Sequence, residues 1–138
     1  MAKSLDTEYR PTEDEPYMNP RQVEYFRRKL LAWRDELVRG SGLTLKQLQE
    51  DDTRPADASD WASSEVQRAF ELRTRDRERK LLAKIEAALR RIEDGSYGYC
   101  EETQEPIGLK RLDARPIATL SIEAQERHER RERSYRDD

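Results

Sequence analysis

The chain has 138 residues, 41% of them charged and only 34% hydrophobic, with a single cysteine and a net charge of −3 from 27 basic and 30 acidic side chains. So small an apolar share excludes a large spherical core and leaves long helices or disorder, and the length suits one compact unit with an appendage. Mixed charge argues against a basic face for free duplex DNA, the absence of an apolar run of about 20 residues argues against a membrane span, and one cysteine excludes an internal disulfide framework.

Residues 1–18 mix charges with Pro11 and Pro16 and show no period, so they read as a mobile leader; Met1 to Arg10 holds no apolar signal segment, which fits a cytoplasmic protein. Asn19 followed by Pro20 is a helix start, since Asn accepts a bond from a free amide and Pro loses nothing at the first helical position. Val23, Phe26, Leu30, Trp33 and Leu37 then step by three and four, drawing one apolar stripe, a seam for a partner helix. Gly40 and Gly42 interrupt it and predict a bend or frayed turn before Leu43, Leu45 and Leu48 resume an apolar face.

Asp51 to Ser59 holds turn formers and no stripe, so the chain reverses there. A second helix is predicted from about Asp60 to Asp94, its apolar positions being Val66, Phe70, Leu81, Leu82, Ile85, Leu89 and Ile92. Helices of about 31 and 35 residues would be about 46 and 52 Å long, and a short connection makes them antiparallel. The predicted class is therefore mainly α: a long antiparallel two-helix coiled coil over residues 19–94 with its tip at about 51–62, a small knuckle over 95–120, and a C-terminal helix within 121–138.

The knuckle is punctuated by Gly98, Pro106, Gly108 and Pro116, and Ser121 can cap the last helix, expected from Glu123 to about Arg133. Its spacing is that of a degenerate zinc ribbon. Cys100 and Thr103 have the spacing of one Cys-x-x-Cys pair, and Ser121 and Ala124 have the spacing of a second. Three of the four slots lack a zinc donor of the right kind, so no metal is expected, and the knuckle must hold by packing among Tyr97, Tyr99, Ile107, Leu109, Leu112, Ile117 and Leu120. The one histidine, His128, lies in a charged stretch, where a solvated ring is expected; no nucleophile and base pair, so an enzyme is not expected.

The runs Glu71-Leu-Arg-Thr-Arg-Asp-Arg-Glu-Arg-Lys-Leu-Leu82, Tyr97-Gly-Tyr-Cys100 and Arg111-Leu-Asp-Ala-Arg-Pro116, with the Tyr17-Met18-Asn19 start, resemble the DksA family of RNA-polymerase-binding transcription factors. The likeness runs from about Tyr17 to about Ala124 and points to a subclass that has lost most of its zinc cysteines. It implies a monomer that enters the secondary channel of bacterial RNA polymerase, destabilises open complexes at ribosomal RNA promoters and works with guanosine tetraphosphate in the stringent response, without specific DNA binding of its own.

Carried over residue by residue, the resemblance makes Asp57, Asp60 and Ala62 the acidic tip, with Trp61 a departure from the commonest form. The bare residue types at 57 and 60 also fit helix capping and turn formation. Arg73 and Arg77 become polymerase contacts on what is otherwise a solvated face, and Leu81, Lys84 and Arg115 the alarmone side, weakened where Gln125 replaces a usual lysine. Two rivals remain: a coiled-coil adaptor, which explains the stripe but neither tip nor knuckle, and a transcript-cleavage factor of the Gre type, which also carries an acidic tip.

Overall fold

The computed structural model describes residues 8–50 and 65–137. Five helices follow in order: α1 (Pro20–Ser41), α2 (Leu45–Gln49), α3 (Glu65–Asp94), α4 (Leu109–Ala114) and α5 (Ile122–Asp137). The fold is mainly helical, and the one bridge outside named strands among the described residues pairs Tyr99 with Pro106. The chain divides into two compact units, residues 31–87 and residues 1–30 with 88–138.

Helix α1 starts as its sequence dictates. Asn19 Oδ1 accepts the amides of Arg21 at 2.9 Å and Gln22 at 3.1 Å, satisfying two donors that the first turn leaves without partners. Phe26 and Leu30 of the expected stripe are fully buried. The far end differs from a single helix running to Glu50. Gly42 takes a left-handed turn at φ +74°, and Thr44 opens the separate α2 with a capping box. In that box the Thr44 hydroxyl accepts the Gln47 amide at 3.1 Å, and the Gln47 side chain accepts the Thr44 amide at 2.9 Å.

Among the described residues of 31–87 the buried side chains are Leu48 of α2 and Leu82 and Ile85 of α3. Two polar contacts join the same elements: Gln49 Nε2 donates to Glu86 at 2.6 Å, and Arg79 Nε donates to the Glu50 carbonyl at 2.9 Å. The apolar residues of α3 do not share one face. At 100° per residue, Val66 and Phe70 lie about 100° and 60° round the helix from Ile85, and they are 76% and 61% exposed.

The other unit holds the knuckle. Phe26 presents its ring to Tyr97, centroids 5.7 Å apart, and the Tyr97 hydroxyl donates to the Pro116 carbonyl at 2.8 Å. Of the expected knuckle core, Tyr97, Ile107 and Leu112 are buried, while Tyr99, Leu109, Ile117 and Leu120 are half-buried; Cys100, Ala118 and Ala124 complete the interior. The short α4 lies inside the turn-rich knuckle, where no helix was predicted. Helix α5 starts on Ser121, whose hydroxyl accepts the Ala124 amide at 3.2 Å, and it extends past Arg133 to Asp137. Glu123, Glu126 and Glu129 each stand four residues ahead of an arginine, an order that favours helix.

Residues 8–19 pack more closely than a free leader. Arg21 lies 4.0 Å over the Tyr9 ring, the Tyr9 hydroxyl donates to Glu15, and the buried Gln22 accepts the Met18 amide at 2.8 Å. Tyr17 reaches furthest: its hydroxyl donates to the Gly98 carbonyl at 2.7 Å and accepts the Gly108 amide at 3.0 Å. A side chain at Gly98 would meet Met18 at 2.9 Å, so this close approach requires glycine.

Candidate functional site

The knuckle is closed by backbone bonds between its two arms. The Cys100 amide donates to Glu105 at 2.8 Å, Ile107 to Gly98 at 2.8 Å, and Glu101 to Thr119 at 2.9 Å, which brings the first pair of ribbon positions beside the second. Cys100 is 1% exposed, and Ser121 and Ala124 are also buried; Thr103 alone faces solvent. Burial pushes the Cys100 thiol up, but the Thr103 hydroxyl and the backbone amides of Ser121, Thr103 and Glu102 favour the thiolate more and bring it down to about 6.

A thiol whose folded pKa lies below its unfolded value, here 9.0, stabilises the fold at pH above that value and ceases to do so as pH falls through about 6. The stability difference between wild type and Cys100→Ala is therefore expected to grow with pH across that window. Thiolate ultraviolet absorbance of the native protein should titrate near its lower end. Absorbance that rises only near the ordinary thiol range would show that the amides do not hold a charged sulfur.

The knuckle is also tied to α5. Glu102 bonds His128 and lies 3.6 Å from Arg127, and these contacts hold the Glu102 carboxyl below its usual range, the His128 hydrogen bond first. His128 is thus paired, in contrast to the solvated ring expected from its charged surroundings. The partner, Glu102, lies 26 residues away in sequence, beyond any local pattern.

The other candidates are divided between the two units. Arg73 and Arg77 are exposed on α3, Leu81 is half-buried and Lys84 exposed. At 100° per residue these four and the exposed Val66 and Phe70 fall within an arc of about 80°. Sequence reading placed Val66 and Phe70 among the helix's apolar positions and missed that they extend the charged stripe. The signal was present in their phase relative to Ile85. Arg115 is exposed just past α4 in the knuckle unit, whereas Leu81 and Lys84 belong to the other unit. Gln125 donates to Glu129 at 3.1 Å along α5. Asp57, Asp60, Trp61 and Ala62 lie outside the described residues. No helix among the described residues is long and apolar enough to cross a membrane.

Two long helices, a small knuckle with degenerate ribbon spacing and a capping helix define a class, and comparison with known proteins places the chain within it. Residues 22–92 match the DnaK suppressor protein DksA N-terminal domain, and residues 95–130 match the prokaryotic dksA/traR C4-type zinc finger. The RNA polymerase-binding transcription factor DksA of Caulobacter vibrioides is 67% identical over 132 residues, spanning 96% of this chain and 93% of that protein. Its Escherichia coli K12 namesake is 42% identical over 91% of this chain and 83% of its own length. The structure of transcription factor DksA2 from Pseudomonas aeruginosa superposes with a TM-score of 0.68 at 49% identity, covering 87% of this chain and 95% of that one. The chain belongs to the DksA family.

The matched finger is of the four-cysteine type, and this chain does not supply its donors. Cys100 offers one sulfur, Thr103 and Ser121 offer hydroxyls that bind zinc poorly at neutral pH, and Ala124 offers a methyl group. No group of three or more His, Cys, Asp or Glu able to hold a metal occurs among the described residues.

Proposed function

We propose that this chain is a non-enzymatic, cytoplasmic transcription regulator that binds bacterial RNA polymerase and folds without zinc. The observation that carries the reading is 67% identity across nearly the whole length of an RNA polymerase-binding transcription factor DksA. The hairpin of α1 and α3 enters the secondary channel as a monomer. The pair Asp57 and Asp60, with Ala62 behind them, acts near the active centre, where two carboxylates on a long arm meet bound metal and cationic side chains. Arg73 and Arg77 set the arm against the channel rim, and open complexes at ribosomal RNA promoters lose stability.

Guanosine tetraphosphate joins at the junction with polymerase, where Leu81, Lys84 and Arg115 face it. Arg115 suits a phosphate because its planar fork donates two bonds at once, and Gln125 lowers the affinity by removing one cation. Zinc independence rests on the donor set and on the interior that Cys100, Ser121 and Ala124 share with Tyr97, Ile107 and Leu112.

The test is transcription in vitro from a ribosomal RNA promoter with purified polymerase, comparing wild type with Asp60→Asn, with and without chelator and guanosine tetraphosphate. Inhibition is expected to survive chelation and to be largely lost in Asp60→Asn. A folded wild type without effect on the promoter overturns the reading in favour of an adaptor, and stimulated transcript cleavage points instead to a Gre-type factor.

A further inference from the structure

An acidic residue in the last turn of a helix opposes the helix dipole, and the last carbonyls there have no partner within the helix. Asp113 occupies that position in α4, and the structure shows what offsets it. Lys29 of α1 donates to the Asp113 backbone carbonyl at 2.7 Å and to its Oδ1 at 2.6 Å, while the Tyr25 hydroxyl donates to the same Oδ1 at 2.6 Å. Tyr25 and Lys29 stand four residues apart on one face of α1, with the ammonium 5.7 Å from the Tyr25 ring. Lys29 therefore caps α4 from another helix.

Arg115 follows two residues later, where the chain leaves α4. Its amide closes on the Arg111 carbonyl at 2.8 Å, its carbonyl accepts the Ala118 amide at 3.0 Å, and the next residue, Pro116, is held by the Tyr97 hydroxyl at 2.8 Å. The backbone of an exposed arginine is thus fixed on both sides, and the anchor nearest to it in α4 is the contact between Asp113 and α1.

We infer that Asp113, held by Lys29 and Tyr25, is a positioning residue that aims the Arg115 guanidinium at a phosphate-bearing effector. This rests on the reading of Arg115 given above. The Lys29 bond, then that of Tyr25, holds the Asp113 carboxyl below the usual carboxylate range, so the clasp stays charged at neutral pH. Because Lys29 and Asp113 are partly exposed, with 37% and 46% of their side chains accessible, the contact adds little to stability and its value lies in direction.

The experiment measures promoter inhibition by the full chain with and without guanosine tetraphosphate, and the increment due to the effector is the readout. Asp113→Ala is expected to reduce that increment about fivefold or more, the lower end of ordinary effector coupling, while inhibition without effector is unchanged. Asp113→Glu, which keeps a carboxylate for Lys29 and Tyr25, should retain most of it. If Asp113→Ala is poorly folded, Asp113→Asn keeps an oxygen for Tyr25 and loses only the ion pair, and it should show the same selective loss.

Arg115→Ala separates the two levels. If it keeps the full increment, the reading of Arg115 fails and the positioning role with it. If it loses the increment while the folded Asp113 variants keep theirs, the positioning role alone is overturned. An Asp113 variant that loses inhibition equally with and without effector is a structural variant, which also overturns the proposal.

Discussion

Phe26→Ala is expected to destabilise the protein by about 3–5 kcal/mol, the usual range for removing a large aromatic from a filled interior. Phe26 is fully buried, with ring contacts to Tyr97 at 5.7 Å and Tyr25 at 5.0 Å. Few apolar residues share this interior, so the cavity has little with which to refill. The loss should appear in urea as a lower midpoint with an unchanged slope, since the surface exposed on unfolding is the same. Phe26→Leu, which retains most of the volume, should recover the larger part. A midpoint unmoved by Phe26→Ala would mean that this contact does not hold the knuckle to α1.

Restoring the three missing sulfurs is expected to create a metal site. In the variant Thr103→Cys, Ser121→Cys, Ala124→Cys, four thiols stand at the two ribbon pairs, and structural zinc sites of that kind contribute about 10–16 kcal/mol of apparent binding in small fingers. Only part of that will appear as added stability, because the knuckle already has packing that a finger lacks. The variant should bind one equivalent of zinc, melt higher with it and lose the gain on chelation, whereas wild type should melt alike in both conditions. Wild-type melting that falls on chelation would contradict folding without zinc. A triple variant indifferent to zinc would show that the four positions do not converge.

Much of this was legible because local rules suffice for it. Asn19-Pro20 and Asp94-Gly95 bound helices where their chemistry says they must, and the stripe through Phe26 and Leu30 points inward. The break before α2 was half legible: Gly42 announced a bend, while the Thr44 and Gln47 capping box that starts a new helix was also written in the sequence but overshadowed by Leu43, Leu45 and Leu48. Helix α4 is six residues long, shorter than two turns, so periodicity has nothing to act on.

The site divides along the same line. Ribbon spacing led to Cys100, Thr103, Ser121 and Ala124, of which Thr103 and Ser121 bond Cys100 and Ala124 bonds Ser121. The partners of Glu102 and Asp113 did not show, because Lys29 and Asp113 are 84 residues apart and one ion pair leaves no periodic trace. The tip residues Asp57, Asp60 and Ala62 were found by resemblance alone, and they lie outside the described residues.

The knuckle unit is assembled from both ends of the chain, residues up to 30 and residues from 88 onward, with Tyr17 bonded to Gly98 across 81 positions. During synthesis the early part of this unit has its local contacts, such as Arg21 over Tyr9, but not its partners beyond residue 88 until the last third of the chain has left the ribosome. The intervening helices rely on nearer contacts and can form meanwhile. A product cut short before residue 98 would therefore lack the groups that hold the Tyr17 hydroxyl.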